Sequence, residues 1–166
     1  VSTSEGHLVA LFVEQNIPKG MSAIDTLLLI REMGGLGIAP HPQQPLPNSI
    51  TLKNIRMALE HPLARETLLG LEVCNMNPSH SPYNHHSQQI ADRLPLAHIA
   101  SSDAHMASMI GAGVTHFEGK SAQELHHAIQ NRTTRPEQVN QENPQRVFFR
   151  WLRLYVRRQF LHPKPT

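Results

Sequence analysis

Short apolar runs alternate with amphipathic stretches along the first 130 residues of the chain. The runs are predicted as strands, at residues 8–13, 36–39, 68–75, 97–101 and 114–117. The stretches between them repeat apolar positions at a helical spacing and predict helices, at residues 23–33, 49–60, 84–94, 106–111 and 121–130. Strands that alternate with helices are typical of the α/β class, so we expect a parallel sheet or a β/α barrel.

Two residue types that bind divalent metals stand where the apolar runs end. Asp103 and His105 follow the run at 97–101, and His41 follows the run at 36–39 within a Pro-His-Pro sequence. The carboxyl ends of parallel strands meet at one edge of a sheet, where the active sites of such folds lie. Because carboxylate and imidazole together suit divalent metals, the pattern favours a metal site. Surface residues or helix caps are the alternative explanation.

Other polar residues carry weaker signals. His7 stands at the start of its apolar run and not at the end, so it fits the arrangement less cleanly. The adjacent histidines at 85–86 and 126–127 point apart on a helix and are expected on a solvated face. His80 and His116 are likewise discounted as functional residues, whereas His85 or His86 would line the mouth of the site if the loop at 75–84 folds over it. Asn75 ends the run at 68–75 and is a candidate for binding substrate, with a structural turn as the alternative.

Four sequence blocks, in their order and spacing, resemble the PHP family of metal-dependent phosphoesterases, named for its polymerase and histidinol phosphatase members. The blocks are residues 3–12 (TSEGHLVALF), 34–42 (GGLGIAPHP), 71–75 (LEVCN) and 102–105 (SDAH). The resemblance extends over the chain from its first residue to about residue 130.

The resemblance implies a distorted β/α barrel that hydrolyses phosphate esters with two or three divalent metal ions, Zn, Mn or Fe, at its mouth. By motif position it implies His7, His41, Asp103 and His105 as metal ligands. Asp103 would hold the metal that carries the nucleophile, and His105 would hold another metal or assist the leaving group. Both are therefore the implied catalytic residues. Such metals lower the pKa of bound water and neutralise the charge of the phosphate.

Family members carry further metal ligands ahead of these blocks, namely a His-x-His pair, additional acidic and histidine ligands and a glutamate. None of them is found in the 166 residues, and a barrel usually needs about 250. We therefore expect residues 1–130 to be the C-terminal part of a PHP domain with an incomplete metal cluster. A missing N-terminal half would complete it, and the exposed strand edges of a half-barrel make that half or a homo-oligomer the expected partner.

Basic residues are concentrated at the C-terminal end. Residues 1–145 hold all 13 acidic and nine of the 15 basic side chains, a net charge of −4, whereas residues 146–166 hold six basic side chains and no acidic one, a net charge of +6. A polar linker is predicted at 131–145, followed by an amphipathic helix over residues 146–160 and a tail.

The predicted C-terminal helix separates its charges from its apolar side chains. One face carries arginines, at positions Arg146, Arg150, Arg153 and Arg157. The rest is aromatic or aliphatic, with Phe148, Phe149, Trp151, Leu152, Tyr155, Val156 and Phe160. Such a helix would pack on the barrel, lie on an anionic membrane surface, or contact nucleic acid or a partner protein.

Composition adds two expectations. The lone Cys74 excludes a disulfide within the chain, and no apolar stretch is long enough to cross a membrane. We expect a cytoplasmic protein, with membrane association through the basic helix as the alternative.

Two functions from different classes follow. The first is a PHP-type phosphoesterase, favoured by the intact set His7, His41, Asp103 and His105. The second is a non-catalytic PHP-like module with a partial metal site, acting in regulation or in attachment to a membrane or partner. The ligands missing from the N-terminal side favour this second function.

Overall fold

The computed structural model describes residues 1–46, 48–139 and 144–161. Its strands, in chain order, are β1 Ser2–Thr3, β2 Gly6–His7, β3 Val9–Leu11, β4 Leu36–Ala39, β5 Leu68–Asn75, β6 Ala97–Ser101, β7 Gly113–His116 and β8 Arg135–Gln138. Its α-helices are α1 Ala23–Glu32, α2 Leu52–Glu60, α3 Asn84–Ala91, α4 Ala122–Gln130 and α5 Pro144–Leu161. Short 3₁₀ helices cover Ala64–Glu66, Ser81–Tyr83 and Ala107–Met109.

The main sheet has four strands in the order β3-β4-β5-β6. β4, β5 and β6 are parallel, whereas β3 pairs antiparallel with β4, with Val9 opposite Ile38 and Leu11 opposite Leu36. The predicted α/β class is confirmed, but the sheet is mixed and not purely parallel, because an apolar run does not encode the direction of its neighbour. The distorted barrel stays a prediction.

Helices cover both faces of the main sheet. On one face the buried side chains come from α1, α2, α3 and β5, and include Leu27, Ile30, Ile55, Ile90 and Leu71. On the other face they come from α4, β4 and β6, and include Ile129, Leu36, Ile38 and Ile99. Burial on both faces explains why β4 and β5 are continuous apolar runs in the sequence. The packed sheet fixes the positions of the strand ends.

The predicted helices are present, with shifted boundaries. α1 begins after Ser22, whose hydroxyl accepts a hydrogen bond from the N–H of Asp25. α2 begins at Leu52 and not at Ser49, because its N-cap is Thr51, whose hydroxyl accepts from the N–H of Asn54, whereas the Ser49 hydroxyl donates to the carbonyl oxygen of His41. The helix predicted at 106–111 is a 3₁₀ turn.

The segment predicted as a polar linker, residues 131–145, contains strand β8. Its sequence Arg-Pro-Glu-Gln lacks the apolar alternation that signals a strand, and backbone pairing with β7 holds it instead, with Val114 opposite Glu137. Residues 140–143 of this segment lie outside the described residues.

Helix α5 contains the predicted basic helix, residues 146–160, and the predicted tail at 162–166 lies outside the described residues. In the described parts of the chain, no helix combines the length and the apolar character needed to cross a membrane.

Candidate functional site

A cavity of about 460 Å³ opens at the carboxyl edge of the main sheet. Its polar lining comes from β2 and from the ends of β4, β5 and β6, and includes His7, His41, Glu72, Asn75, Ser101 and Asp103. His7 belongs to this group because β3 is antiparallel, which puts the start of the first apolar run at the edge where the parallel strands end. The structure thus gathers three of the predicted ligands: His7, His41 and Asp103.

His41 is buried at the floor of the cavity and has an uncommon backbone conformation. Its φ is +33°, in the left-handed region, and the residue is only 6% exposed. The backbone N–H donates to Glu72 Oε2 at 2.7 Å, and the carbonyl oxygen accepts from Ser49 Oγ at 2.7 Å. Left-handed conformations of non-glycine residues cost of order 1–3 kcal/mol, so these two bonds hold His41 against strain.

The imidazole of His41 is poised to be neutral. Burial, with a smaller contribution from the neighbouring His80, lowers the pKa of His41 to about 4. Its Nδ1 is a buried polar atom without a hydrogen-bond partner. A buried nitrogen without a partner is costly in a folded protein, and a neutral imidazole is the form that coordinates metals.

Glu72 connects the strand ends below the cavity. Its buried carboxylate accepts hydrogen bonds from the His41 N–H, from Asn75 Nδ2 at 2.9 Å and from the Ser101 hydroxyl. Burial raises the pKa of Glu72, and the same three hydrogen bonds oppose the rise. The carboxylate therefore ties the loop after β4 to β5 and β6.

Asn75 and Asp103 continue this network. Asn75 Nδ2 also approaches Asp103 Oδ2, at 3.3 Å, while Asn75 Oδ1 accepts from the N–H of Asn77. Asp103 has a φ of +41°, which makes it a second left-handed residue at the cavity. Asn75 was predicted as a substrate contact, and it is almost fully buried with its amide engaged by two carboxylates. Contact with substrate stays a prediction.

His80 joins the site, although nothing in the sequence singled it out. Its ring stacks on that of His41, with centroids 4.4 Å apart and planes 14° apart. Its Nδ1 lies 2.5 Å from Oε1 of Gln44, and its Nε2 lies 3.6 Å from Oδ2 of Asp103. The signal that would have found it is its place in the loop between β5 and α3, at the same edge as the other candidates.

The contacts of His80 bear on how it could bind a metal. With the proton on Nδ1, which lies beside Oε1 of Gln44, the lone pair of His80 Nε2 is directed toward the carboxylate of Asp103. Burial lowers the pKa of His80 as well, which disfavours a second proton. In that tautomer an imidazole nitrogen and a carboxylate oxygen 3.6 Å apart are donors that one divalent metal ion can bind together.

His105 lies to one side of the cavity. Its side chain is 55% exposed, and its Nδ1 is within hydrogen-bonding distance of the Asp103 carbonyl oxygen, 2.9 Å, and of Asn77 Nδ2, 3.0 Å. The distance from Nδ1 to Asp103 Oδ1 is 3.8 Å. Of the four residues predicted as ligands, His105 is the one that the structure leaves outside the cavity lining.

The donors form a loose group. Across the described ranges, no three or more His, Cys, Asp or Glu side chains lie close enough together to enclose a metal ion. His7 is nevertheless near, with its ring centroid 5.6 Å from that of His41. The set His7, His41, His80 and Asp103 has the mixed imidazole and carboxylate chemistry that suits Zn, Mn or Fe.

Comparisons with known proteins cover different parts of the chain. Residues 82–134 match a family model described as PHP-associated. A stretch of 46 residues is 48% identical to the uncharacterized protein MJ1587 of Methanocaldococcus jannaschii, covering 28% of this chain and 27% of that protein. The fold is similar to that of PsfC from Pseudomonas syringae PB-5123, with a TM-score of 0.62 and 17% identity over 97% of this chain and 64% of that one.

A second structure with a similar fold is a two-domain protein from Bacteroides vulgatus ATCC 8482 that contains a predicted PHP-like metal-dependent phosphoesterase. The TM-score is 0.53 and the identity 19%, over 90% of this chain and 47% of that one. This chain thus spans less than two thirds of the length of each of these proteins. The family match includes Asp103 and His105, and the fold match includes the edge of the sheet where the other candidates lie. Residues 82–134 therefore match a C-terminal region of the PHP family.

Proposed function

We propose that this chain is part of a metal-dependent phosphoesterase of the PHP type, which hydrolyses phosphate esters. The observation that carries the proposal is the buried, unpartnered Nδ1 of His41, whose ring stacks on that of His80, with His80 Nε2 3.6 Å from Asp103 Oδ2. The PHP-family region and the similar fold of a protein with a predicted PHP-like metal-dependent phosphoesterase support it.

In this proposal the metal ligands are His7, His41, His80 and Asp103. His105 remains the predicted ligand for a further metal or the residue that assists the leaving group, because it stands beside Asp103 at the rim. When bound, two or three divalent ions such as Zn, Mn or Fe would supply the positive charge that activates water and stabilises the phosphoryl group.

The remaining polar residues act as positioning residues. Glu72 holds the backbone of His41 through its N–H, and Asn75 joins Glu72 to Asp103 through one amide group. Gln44 fixes the ring of His80 through Nδ1. Metal ligands that are oriented by such hydrogen bonds keep the right tautomer and direction.

Metal content tests the ligand set. The wild-type chain is incubated with Mn²⁺ or Zn²⁺, freed of excess metal, and analysed beside the variants Asp103→Ala, His41→Ala and His80→Ala. The matched control is His127→Ala, which removes an exposed imidazole on α4. We expect the three site variants to lower metal affinity by about tenfold or more, and the control to bind like wild type. Equal metal content in all five proteins would refute the ligand set.

Hydrolysis distinguishes the proposal from a second candidate, a non-catalytic PHP-like module. The absence, among the described residues, of three close ligands favours this second function. The metal-loaded chain is assayed for release of phosphate from simple phosphomonoesters and phosphodiesters. Hydrolysis that disappears in Asp103→Ala supports the enzyme, whereas bound metal without hydrolysis of either ester supports the module.

A further inference from the structure

Helix α5 combines an arginine row with an apolar surface that the rest of the described chain does not cover. The arginines follow one another at spacings of three or four residues, so that they share one face of the helix: Arg146, Arg150, Arg153 and Arg157. The exposed apolar side chains are Phe148, Phe149, Leu152, Leu154, Tyr155 and Val156. Phe149 is 67% exposed and Tyr155 is 49% exposed, values that a helix packed on the protein core does not show.

The aromatic residues are ordered into a row of their own. Trp151 stacks on Tyr155, with ring centroids 5.4 Å apart, and its ring centroid lies 6.1 Å from that of Phe148. In a helix of 3.6 residues per turn, this row lies opposite the arginines. On the arginine side, Nη1 of Arg150 donates to Ser108 Oγ at 3.3 Å. The apolar row is therefore turned away from that contact and remains accessible.

The charge of the helix is of one sign. Residues 144–161 contain five arginines and neither aspartate nor glutamate. Helices that pair with other helices usually carry both signs at the flanks of their apolar stripe, which sets the choice of partner. A helix with arginine alone on its polar face is complementary to a surface of fixed negative charge.

We propose that α5 binds along the surface of an anionic phospholipid membrane. The arginines would contact the phosphate and carboxylate groups of the lipid heads, while the row Phe148, Trp151 and Tyr155 enters the boundary between heads and acyl chains. A membrane surface uses both faces of the helix at once. A nucleic acid would pair with the arginines but would leave the aromatic face in water, so it accounts for half of the observations.

The single tryptophan of the chain makes this binding directly visible. Trp151 lies in the aromatic row, so its fluorescence reports on α5 and on no other element. The full chain is titrated with vesicles of phosphatidylserine and phosphatidylcholine in equal parts, and with vesicles of phosphatidylcholine alone. We expect a shift of the emission to shorter wavelength and co-sedimentation with the anionic vesicles only.

Variants separate the contribution of each face. Arg153→Gln combined with Arg157→Gln is expected to weaken binding to the anionic vesicles by about thirtyfold. Phe149→Gln, at the most exposed ring, is expected to weaken it as well. The control is Lys53→Gln combined with Arg65→Gln, which removes the same charge from exposed positions outside α5 and is expected to bind like wild type.

Four outcomes would overturn the proposal: no binding to the anionic vesicles, equal binding to neutral vesicles, an equal loss in the control variant, or a fluorescence shift with a short RNA or DNA duplex and none with vesicles. The metal content of the chain is independent of this experiment, so its failure would leave the proposed function untouched.

Discussion

Glu72 is the residue on which the geometry of the candidate site depends most. It is buried, and its three hydrogen-bond donors come from three different parts of the sheet edge: the His41 N–H, the Asn75 amide and the Ser101 hydroxyl. An apolar side chain in place of Glu72 would leave all three donors without an acceptor. The role that its hydrogen bonds give Glu72 is architectural, because they hold the candidate ligands in place.

Replacing Glu72 tests this role. Glu72→Ala leaves the buried His41 N–H and Asn75 amide without their acceptor, at a cost of about 1–3 kcal/mol for each. Glu72→Gln keeps one oxygen for both donors, and its NH₂ can donate to the Ser101 hydroxyl, so its cost is expected to be within about 1 kcal/mol. Urea unfolding of the two variants measures the difference. Equal losses would mean that the charge of Glu72, and not its hydrogen bonding, stabilises the fold.

The sequence predicts part of the candidate site, and the limit is physical. His41 and Asp103 were predicted as metal ligands because they follow apolar runs, and the structure locates both at the cavity. The position of His7 fits the candidate site only because β3 is antiparallel to β4, a direction that the sequence does not reveal. His80 depends on how the loop between β5 and α3 folds over the sheet edge, and loop conformation leaves no periodic signal in the residues.

Among the elements, α4 has the most complete sequence signal at its start. The Ser121 hydroxyl accepts from the N–H of Glu124, and the carboxylate of Glu124 accepts from the N–H of Ser121, which forms a capping box. The helix supplies Ile129 to the core on one face of the main sheet. Its cap therefore stabilises the layer that lies against β6.

Ser121→Ala is expected to lower the free energy of unfolding by about 1 kcal/mol, because the N–H of Glu124 loses its acceptor. Ser121→Thr is the matched control, since it keeps a hydroxyl at the same position and is expected to lose only a few tenths. Chemical denaturation of both variants measures the effect. The absence of any difference between them would show that α4 is held by its packing alone.

The elements with strong periodicity were the ones predicted well, within a few residues at each end. The central strands have the predicted bounds because their burial on both faces produces continuous apolar runs. β8 was missed because its polar residues lack the apolar alternation of a strand and pair with β7 through the backbone and the contact of Glu137 with His116. For α5, packing on the barrel was one sequence-based alternative, and the exposure of its described apolar side chains argues against it.

For the molecule as a whole, the candidate ligands come from distant parts of the sequence, at positions 7, 41, 80 and 103. Such a set is assembled only in the folded state, so a metal that binds it stabilises the folded state over the unfolded one. Metal binding should therefore be visible as resistance to heat.

A metal concentration about a hundredfold above the dissociation constant would contribute about 2.7 kcal/mol. For a chain of this size, that raises Tm by about 5–10 °C. Thermal unfolding of wild type is followed with Mn²⁺, with Zn²⁺ and with chelator, beside Asp103→Ala and His127→Ala. We expect the shift in wild type and His127→Ala only, and an undiminished shift in Asp103→Ala would contradict the site.

The bonds of Glu72 also bear on the order in which the protein folds. They join residues 31 and 29 positions apart, to His41 on one side and to Ser101 on the other. Contacts between positions so far apart require large loops to close first, and such closure is slow compared with helix formation. The cavity can take its final form only after β4, β5 and β6 are in register. We therefore expect the His41 N–H to become protected from hydrogen exchange only when the sheet is complete, after the helices have formed.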